Sequence, residues 1–216
     1  MLYRSSNQER ALLVNPIRLD EEEKPETATK EPAKAPPSVA QNLFKARTVL
    51  LFGEINQKVA QEVVAQLLAL AAENDDPIKL VINSPGGHVE SGDTIHDIIR
   101  FIKPKVKILG TGWVASAGAH IFLGAAKEDR YCLPNTRFMI HQPAGGVGGP
   151  ATDIAIEAKE IIKMRHRINS VIARETGQPI ERVAVDTDRN FWMSAEEAKE
   201  YGIVSHIIDN AVALDE

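Results

Sequence analysis

Two residues in the middle of the chain have the types and setting for covalent chemistry. Ser116 lies among small residues, Ala115, Ala117, Gly118 and Ala119, at the start of an apolar stretch, and His141 closes a short run, Arg137-Phe138-Met139-Ile140. A serine at a tight helix entry can act as a nucleophile. Small neighbours admit a substrate backbone, and the unsatisfied N–H groups of the first helical turn face an anion that forms there. A histidine within reach can take the serine proton as general base. Taken alone, the pair is more simply a helix-capping serine and an unrelated strand-end histidine. A glycine-bearing turn changes the balance: Ser84-Pro85-Gly86-Gly87 leaves another apolar segment, and open α/β sheets place their sites at such carboxyl ends of strands. The N–H groups of Gly87 and Ala117 can then form an oxyanion hole, worth about 3–4 kcal/mol per donor to a tetrahedral intermediate. These glycines do not read as a phosphate cradle, because no Gly-Lys-Ser/Thr follows them and no G-x-G-x-x-G opens a helix.

The elements that must position these residues follow from periodicity. Thr48-Val49-Leu50-Leu51-Phe52 reads as a buried strand stopped by Gly53. Asn56 can cap a helix with Val59, Val63, Leu67, Leu70 and Ala71 on one face, ending before Pro77. A second strand, Ile78-Lys79-Leu80-Val81-Ile82, a helix over about 91–101 stopped by Pro104, and a third strand at 106–109 then deliver the chain to Ser116. This β-α-β-α-β-α order predicts largely parallel strands with right-handed crossovers. After a glycine-rich segment at 144–150 comes a long helix over about 152–176, ended by Gly177, whose apolar residues spread over more than one stripe. Such a helix has more than one packing partner, and a subunit contact is expected there. Ser194-Ala195-Glu196-Glu197 is a capping box for a helix to Tyr201, ended by Gly202, and a last short strand follows at 203–208.

Composition excludes several classes. The 216 residues suit one domain with a real core, and 44% hydrophobic with 25% charged residues is the make-up of an ordinary globular protein. A net charge of −5, with no basic block carrying interleaved aromatics, argues against nucleic acid as a partner. The one cysteine, Cys132, precludes an intrachain disulfide, fits a reducing compartment and reads as a buried thiol. No apolar run reaches the roughly 18 residues of a spanning helix, and the N-terminus is too polar for a signal peptide, so no membrane role and a cytoplasmic location are expected. Residues 1–46 are set apart by a Glu/Lys/Pro/Ala-rich stretch, expected to be mobile over 20–39. A domain over 47–210 and a short tail at 211–216 complete the expected organisation. His88, His96, His120, His166 and His206 lack zinc-type spacing and read as surface or core residues, and no metal or organic cofactor is called for.

A set of ordered motifs carries a family likeness. INSPGG ends at Gly87, FIKP at Pro104, and the AS-x-GA core spans 115–119. LPN begins at Leu133, MIHQP at Met139, ATDI at Ala151 and MSAEEAKEYG at Met193. From about Thr48 to Asp209 the chain resembles the proteolytic subunit of the Clp protease (ClpP) nearly end to end. The resemblance implies an α/β subunit of the ClpP/crotonase-like fold, with repeated β-α-β units and a projecting handle helix, stacked as two seven-membered rings around a closed chamber. It implies serine endopeptidase activity on unfolded proteins supplied by an AAA+ unfoldase partner, to which the ATP belongs. It also implies Ser116 as nucleophile, His141 as base, and Gly87 and Ala117 as oxyanion donors. Gly145, Gly146, Val147 and Gly148 would form a handle edge that pairs with a substrate backbone.

The departures shape the expectation. The third catalytic position of the family is usually an aspartate in a D-T-x-R-D run, and this chain reads Asp186-Thr187-Asp188-Arg189-Asn190. In one serine protease the corresponding amide lowers the rate by about 10⁴. Asn190 therefore predicts weak or conditional activity, with Asp186 or Asp188 as carboxylates that would have to move in. The strand before INSPGG carries Lys79 and no aromatic, and Ala117 stands where a methionine is common, which together suggest a divergent paralogue, in a homo-oligomer or a mixed ring. Two rivals remain: a non-catalytic ring subunit, and a crotonase-type acyl-CoA enzyme in which the serine–histidine pair is idle.

Overall fold

The structure, a computed structural model, describes residues 38–146 and 148–215. All but the last two positions of the stretch expected to be mobile lie outside the described residues, as does Val147.

Three parallel strands lie side by side in sequence order: β1 (Thr48–Phe52), β2 (Ile78–Ser84) and β3 (Val106–Ala115). A parallel return needs a crossover, and α2 (Gln57–Glu73) and α3 (Val89–Phe101) provide the two. Asn56 caps α2 by accepting from the Val59 N–H at 3.0 Å, and the helix turns Ala60, Val63, Leu67 and Leu70 inward. Along β2 the pleat alternates: Ile78, Leu80, Ile82 and Ser84 are buried, and the residues between them are half-buried. The apolar run of β1 implies a strand buried on both faces, and the structure differs. Val49 and Leu51 are buried, whereas Leu50 and Phe52 are 43% and 52% exposed. Alternate side chains reach opposite faces of a sheet, and among the described residues the second face of β1 is left largely uncovered.

β3 runs past its expected end at Leu109 and forks. Its first half pairs with β4 (Arg130–Cys132), Ile108 opposite Arg130, and its second half pairs with β5 (Arg137–Ile140), Val114 opposite Phe138. β5 continues to an antiparallel partner, β6 (Phe191–Met193), and β4 to the parallel β7 (His206–Ile207). β7 is shorter than the strand read at 203–208. Ile203 and Val204 instead direct their N–H groups to the Ala198 carbonyl, closing the end of the preceding helix.

α4 (Ala117–Phe122) follows β3 at once and is buried over its whole length. α5 (Ala151–Thr176) has two different halves. Ile168 and Ile172 pack into the body, while Ile156 and Ile162, nearer its start, are 53% and 66% exposed. The packed end is fixed by Arg130, fully buried, which donates to Glu175 Oε2 at 2.5 Å, the Glu175 carbonyl at 3.0 Å and the Leu123 carbonyl at 3.0 Å. A charge without water is tolerated only when paired and hydrogen-bonded in this way. α6 (Ile180–Asp186) and α7 (Ala195–Tyr201) complete the body, and Ser194 with Glu197 forms the expected capping box on α7.

Two terminal elements depart from the pattern read in the sequence. A capping box of Ser38 and Gln41 starts α1 (Val39–Lys45), inside the segment set apart by composition, and Phe44 packs against the core. At the other end, α8 (Val212–Asp215) buries Leu214, and Lys107 Nζ donates to the Leu214 carbonyl at 2.8 Å. Cys132 is fully buried as expected, and burial pushes its thiol up to about 12.

Candidate active site

The fork in β3 creates the site. Parallel pairing sets Ala115 opposite Met139, and the Ser116 N–H donates to the Met139 carbonyl at 2.8 Å. The residues just beyond these two strand ends, Ser116 and His141, therefore leave the sheet side by side. His141 Nε2 lies 2.7 Å from Ser116 Oγ. Ser116 stands between β3 and α4 with φ 56°, outside the comfort of an L-residue, a strained strand-to-helix turn that projects its hydroxyl.

The glycine turn is pressed against this serine. A Cβ on Gly86 (φ +98°) would sit 2.5 Å from Ser116 Cβ and 2.8 Å from the Ala115 carbonyl oxygen. On Gly87 (φ +149°) a Cβ would sit 2.2 Å from the Ile55 carbonyl oxygen. Ile55 donates to the Gly86 carbonyl at 2.9 Å and accepts from the His88 N–H at 2.8 Å. In such a parallel bridge the intervening residue turns its own N–H and C=O away from its partner, so the Gly87 N–H faces away from Ile55. The Ala117 N–H, at the first position of α4, has no acceptor within the helix.

The third position is different. Asn190 is exposed, and among the described residues the only side-chain hydrogen bond of the His141 ring is with Ser116. The nearby carboxylates are engaged elsewhere. Asp188 Oδ1 receives Arg165 at 3.2 Å and Gln142 Nε2 at 3.3 Å. Asp186 Oδ2 accepts from the Tyr201 hydroxyl at 2.9 Å and faces Arg182 Nε at 3.4 Å. Burial, then this bond to Asp186, pushes the Tyr201 phenol well above its ordinary range. The root of the loop is nonetheless firm. Thr187 is fully buried, its hydroxyl donates to Val183 and contacts Asn169 Oδ1, and its carbonyl accepts from the Gln142 N–H.

Two spaces flank the pair. A small cavity of about 30 Å³ has walls from Val89, Ala119, Ile140, Ile168 and Ile172 beside Ser116 and His141. An open cleft of about 350 Å³ lies along His141, Gly145, Ile161, Asp188 and Asn190. Of the glycine-segment candidates, Gly145 borders this cleft and Val147 lies outside the described residues. Gly146 and Gly148 face open space, where a Cβ would meet no described atom within 4 Å. His120, read in the sequence only as a surface or core histidine, is buried and lines the small cavity, with Asp93 and Arg167 behind it. The available signal was its spacing of one helical turn from Ser116.

A strained serine bonded to a histidine, beside backbone donors, is the arrangement of a serine hydrolase. Comparison with known proteins narrows the class. The family described as Clp protease matches residues 33–211. "ATP-dependent Clp protease proteolytic subunit 3" of Rhizobium etli is 61% identical over 167 residues, 77% of this chain and 86% of that protein. "ATP-dependent Clp protease proteolytic subunit 2" of Gluconobacter oxydans is 56% identical over 209 residues, 93% of this chain and 94% of its own. Among solved structures, ClpP1 from Listeria monocytogenes superposes with a TM-score of 0.75 at 59% identity, covering 82% of this chain and 99% of that one. An asparagine-to-aspartate mutant of the same protein gives a TM-score of 0.77.

The chain belongs to the Clp protease family. It is thereby a serine peptidase, and membership implies assembly into rings and partnership with Clp ATPases. Among the described residues no helix is long and apolar enough to cross a membrane.

Proposed function

We propose that this chain is a chamber-forming serine endopeptidase subunit in which Ser116 attacks the peptide carbonyl and His141 moves the proton. The observation that carries the reading is the 2.7 Å contact between His141 Nε2 and Ser116 Oγ at a strained residue. His141 accepts the hydroxyl proton as Oγ bonds to the carbonyl carbon. The oxyanion that results meets the Gly87 and Ala117 N–H groups, each worth about 3–4 kcal/mol in comparable sites. His141 then passes its proton to the leaving amine, and water hydrolyses the acyl-serine by the same steps in reverse. Asn190 takes the third position. Its lack of a hydrogen bond to His141 supports activity that is weak or conditional on assembly. The cleft bordered by Gly145 lies where a substrate backbone would run, in line with a pairing role for Gly145, Gly146, Val147 and Gly148.

The exposed apolar residues support a subunit built for rings. Leu50 and Phe52 on the sheet, and Ile154, Ile156 and Ile162 on α5, are the surfaces a neighbouring copy or a related subunit would cover. We take the particle to be two stacked heptameric rings, of this chain alone or mixed with a paralogue, served by an AAA+ unfoldase in the cytoplasm. A second reading, a non-catalytic ring subunit, draws on the same exposed and unengaged Asn190. Hydrolysis of a short fluorogenic peptide, with Ser116→Ala as control and particle mass measured alongside, separates them. Activity lost in Ser116→Ala establishes the peptidase. Silence from an intact double ring, alone and mixed with its paralogue, establishes the structural role.

A further inference from the structure

Three helices near the site meet at Asp93, and the reaction described above gives this residue no part. It lies on α3 with its side chain 16% exposed, and its two carboxylate oxygens face different helices. Oδ1 is 2.9 Å from His120 Nε2 on α4, and Oδ2 is 2.7 Å from Arg167 Nη1 on α5. The buried His120 ring is held by α3 a second time. It stacks on His96, with centroids 4.6 Å apart and planes 15° from parallel. His96 follows Asp93 by about one helical turn, so one side of α3 sets both the edge and the face of this imidazole.

Where this tie falls along the two helices gives it a bearing on the reaction. α3 leaves the turn that carries Gly86 and Gly87, and α4 opens at Ala117 directly after Ser116. The helix starts pack closely: a Cβ on Gly92 would sit 3.2 Å from the Ala117 Cβ. Steric contact sets how near the two helices come, and the Asp93–His120 contact, about one turn into each, holds them there. Burial acts to raise the Asp93 carboxyl, but its contacts with His120 and Arg167 outweigh burial and hold it below its usual range. The group is therefore ionised, accepts at both oxygens and draws the His120 proton to Nε2. The isosteric amide could not do the same, because it has a single accepting oxygen for two donors.

We propose that Asp93 is a positioning residue for the oxyanion hole. It ties α4 to α3 through His120 while Arg167 of α5 braces its other oxygen. This fixes the start of α4, with Ser116 and the Ala117 N–H, relative to the Gly87 N–H just ahead of α3. The proposal rests on Ser116 being the nucleophile. Oxyanion donors act mainly in the transition state, so a change in their spacing lowers kcat and leaves KM nearly as it was. A merely structural tie would instead lower the unfolding temperature and leave the rate of each intact particle unaltered.

The test compares wild type with Asp93→Ala, Asp93→Asn and His120→Phe in particles of verified mass. Two rates are measured: peptide hydrolysis resolved into kcat and KM, and phosphonylation of Ser116 by a fluorophosphonate. In Asp93→Ala, kcat is expected to fall at least about tenfold with KM within about threefold, and phosphonylation to slow by a comparable factor. Asp93→Asn keeps the shape of the side chain and should fall in the same way by a smaller factor; it carries the comparison if Asp93→Ala does not assemble. His120→Phe should lower kcat as well, and joining it to an Asp93 variant should cost less than the product of the two, since both changes break one tie. A kcat within about twofold of wild type in the assembled Asp93 variants, a loss carried by KM, or fully multiplicative effects overturns the proposal. Wild-type particles that neither cleave peptide nor take up the fluorophosphonate would overturn the peptidase reading and this proposal with it. Wild type and variants labelled at equal rates would overturn this proposal alone.

Discussion

Ser116 and His141 stand just past the ends of two paired strands, and Asn190 closes the 187–190 loop that leads into β6. The strand pair is tied by the β3–β5 ladder and by the Ser116 N–H to Met139 bond, so its two functional groups have little choice of position. The loop is anchored at Thr187, but past that residue Asp188, Arg189 and Asn190 are all exposed. The proposed nucleophile and base are thus held together by the sheet, while Asn190, proposed as the third member, makes no hydrogen bond to His141. Preorganised groups avoid reorganisation at the moment of reaction, and on the proposed reading activity would depend on whatever orders the third partner.

The largest effect that can break this contrast is the loss of Ser116. Ser116→Ala is expected to lower peptide hydrolysis at least about 10³-fold, measured with the ring intact. A residual rate close to wild type would remove the strand-end pair from the chemistry altogether. Next is the backbone beside it. Gly87→Ala puts a methyl group where the Ile55 carbonyl lies, so kcat should fall about 10²-fold or more as the oxyanion donor is displaced, with a lower unfolding temperature. Full activity in a stable Gly87→Ala protein would show that this N–H does no catalytic work.

The loop side should respond in the opposite direction. Asn190→Asp is expected to raise kcat/KM about tenfold or more, because a carboxylate stabilises the imidazolium that an amide cannot. An unchanged or lower rate in a correctly assembled Asn190→Asp protein would mean that this side chain does not limit catalysis. The smallest effect is assigned to Asp188, exposed and shared between Arg165 and Gln142. Pairs of this kind are worth about 0–1 kcal/mol, so Asp188→Asn should change the rate less than about threefold. A loss of about a hundredfold, judged against the same scale, would make Asp188 the third member and dissolve the contrast.

Much of this is legible in the chain alone, because it depends on neighbours in sequence. The caps of α2 and α7, the crossover order of the first three strands and the tight turn at Gly86-Gly87 are local matters of hydrogen bonding and backbone sterics. The short strands β4 and β6 are not legible there, since three residues carry no periodicity and exist only because β3 and β5 offer them edges. Nor is α1, whose capping box sits beside a stretch of disorder-like composition.

The sequence by itself determined the reactive residue types, the family and the asparagine at position 190, since all of these are written in side-chain identity and order. Tertiary structure alone decided what those side chains face. It brought His141 to Ser116 through a forked sheet, committed Asp186 and Asp188 to Tyr201 and Arg165, exposed Leu50 and Phe52 among the described residues, and set His120 against the same cavity as Ser116. The physical reason is separation along the chain. Local propensity fixes elements a few residues long, whereas contacts across tens of residues depend on strand register and on burial that only the folded whole provides.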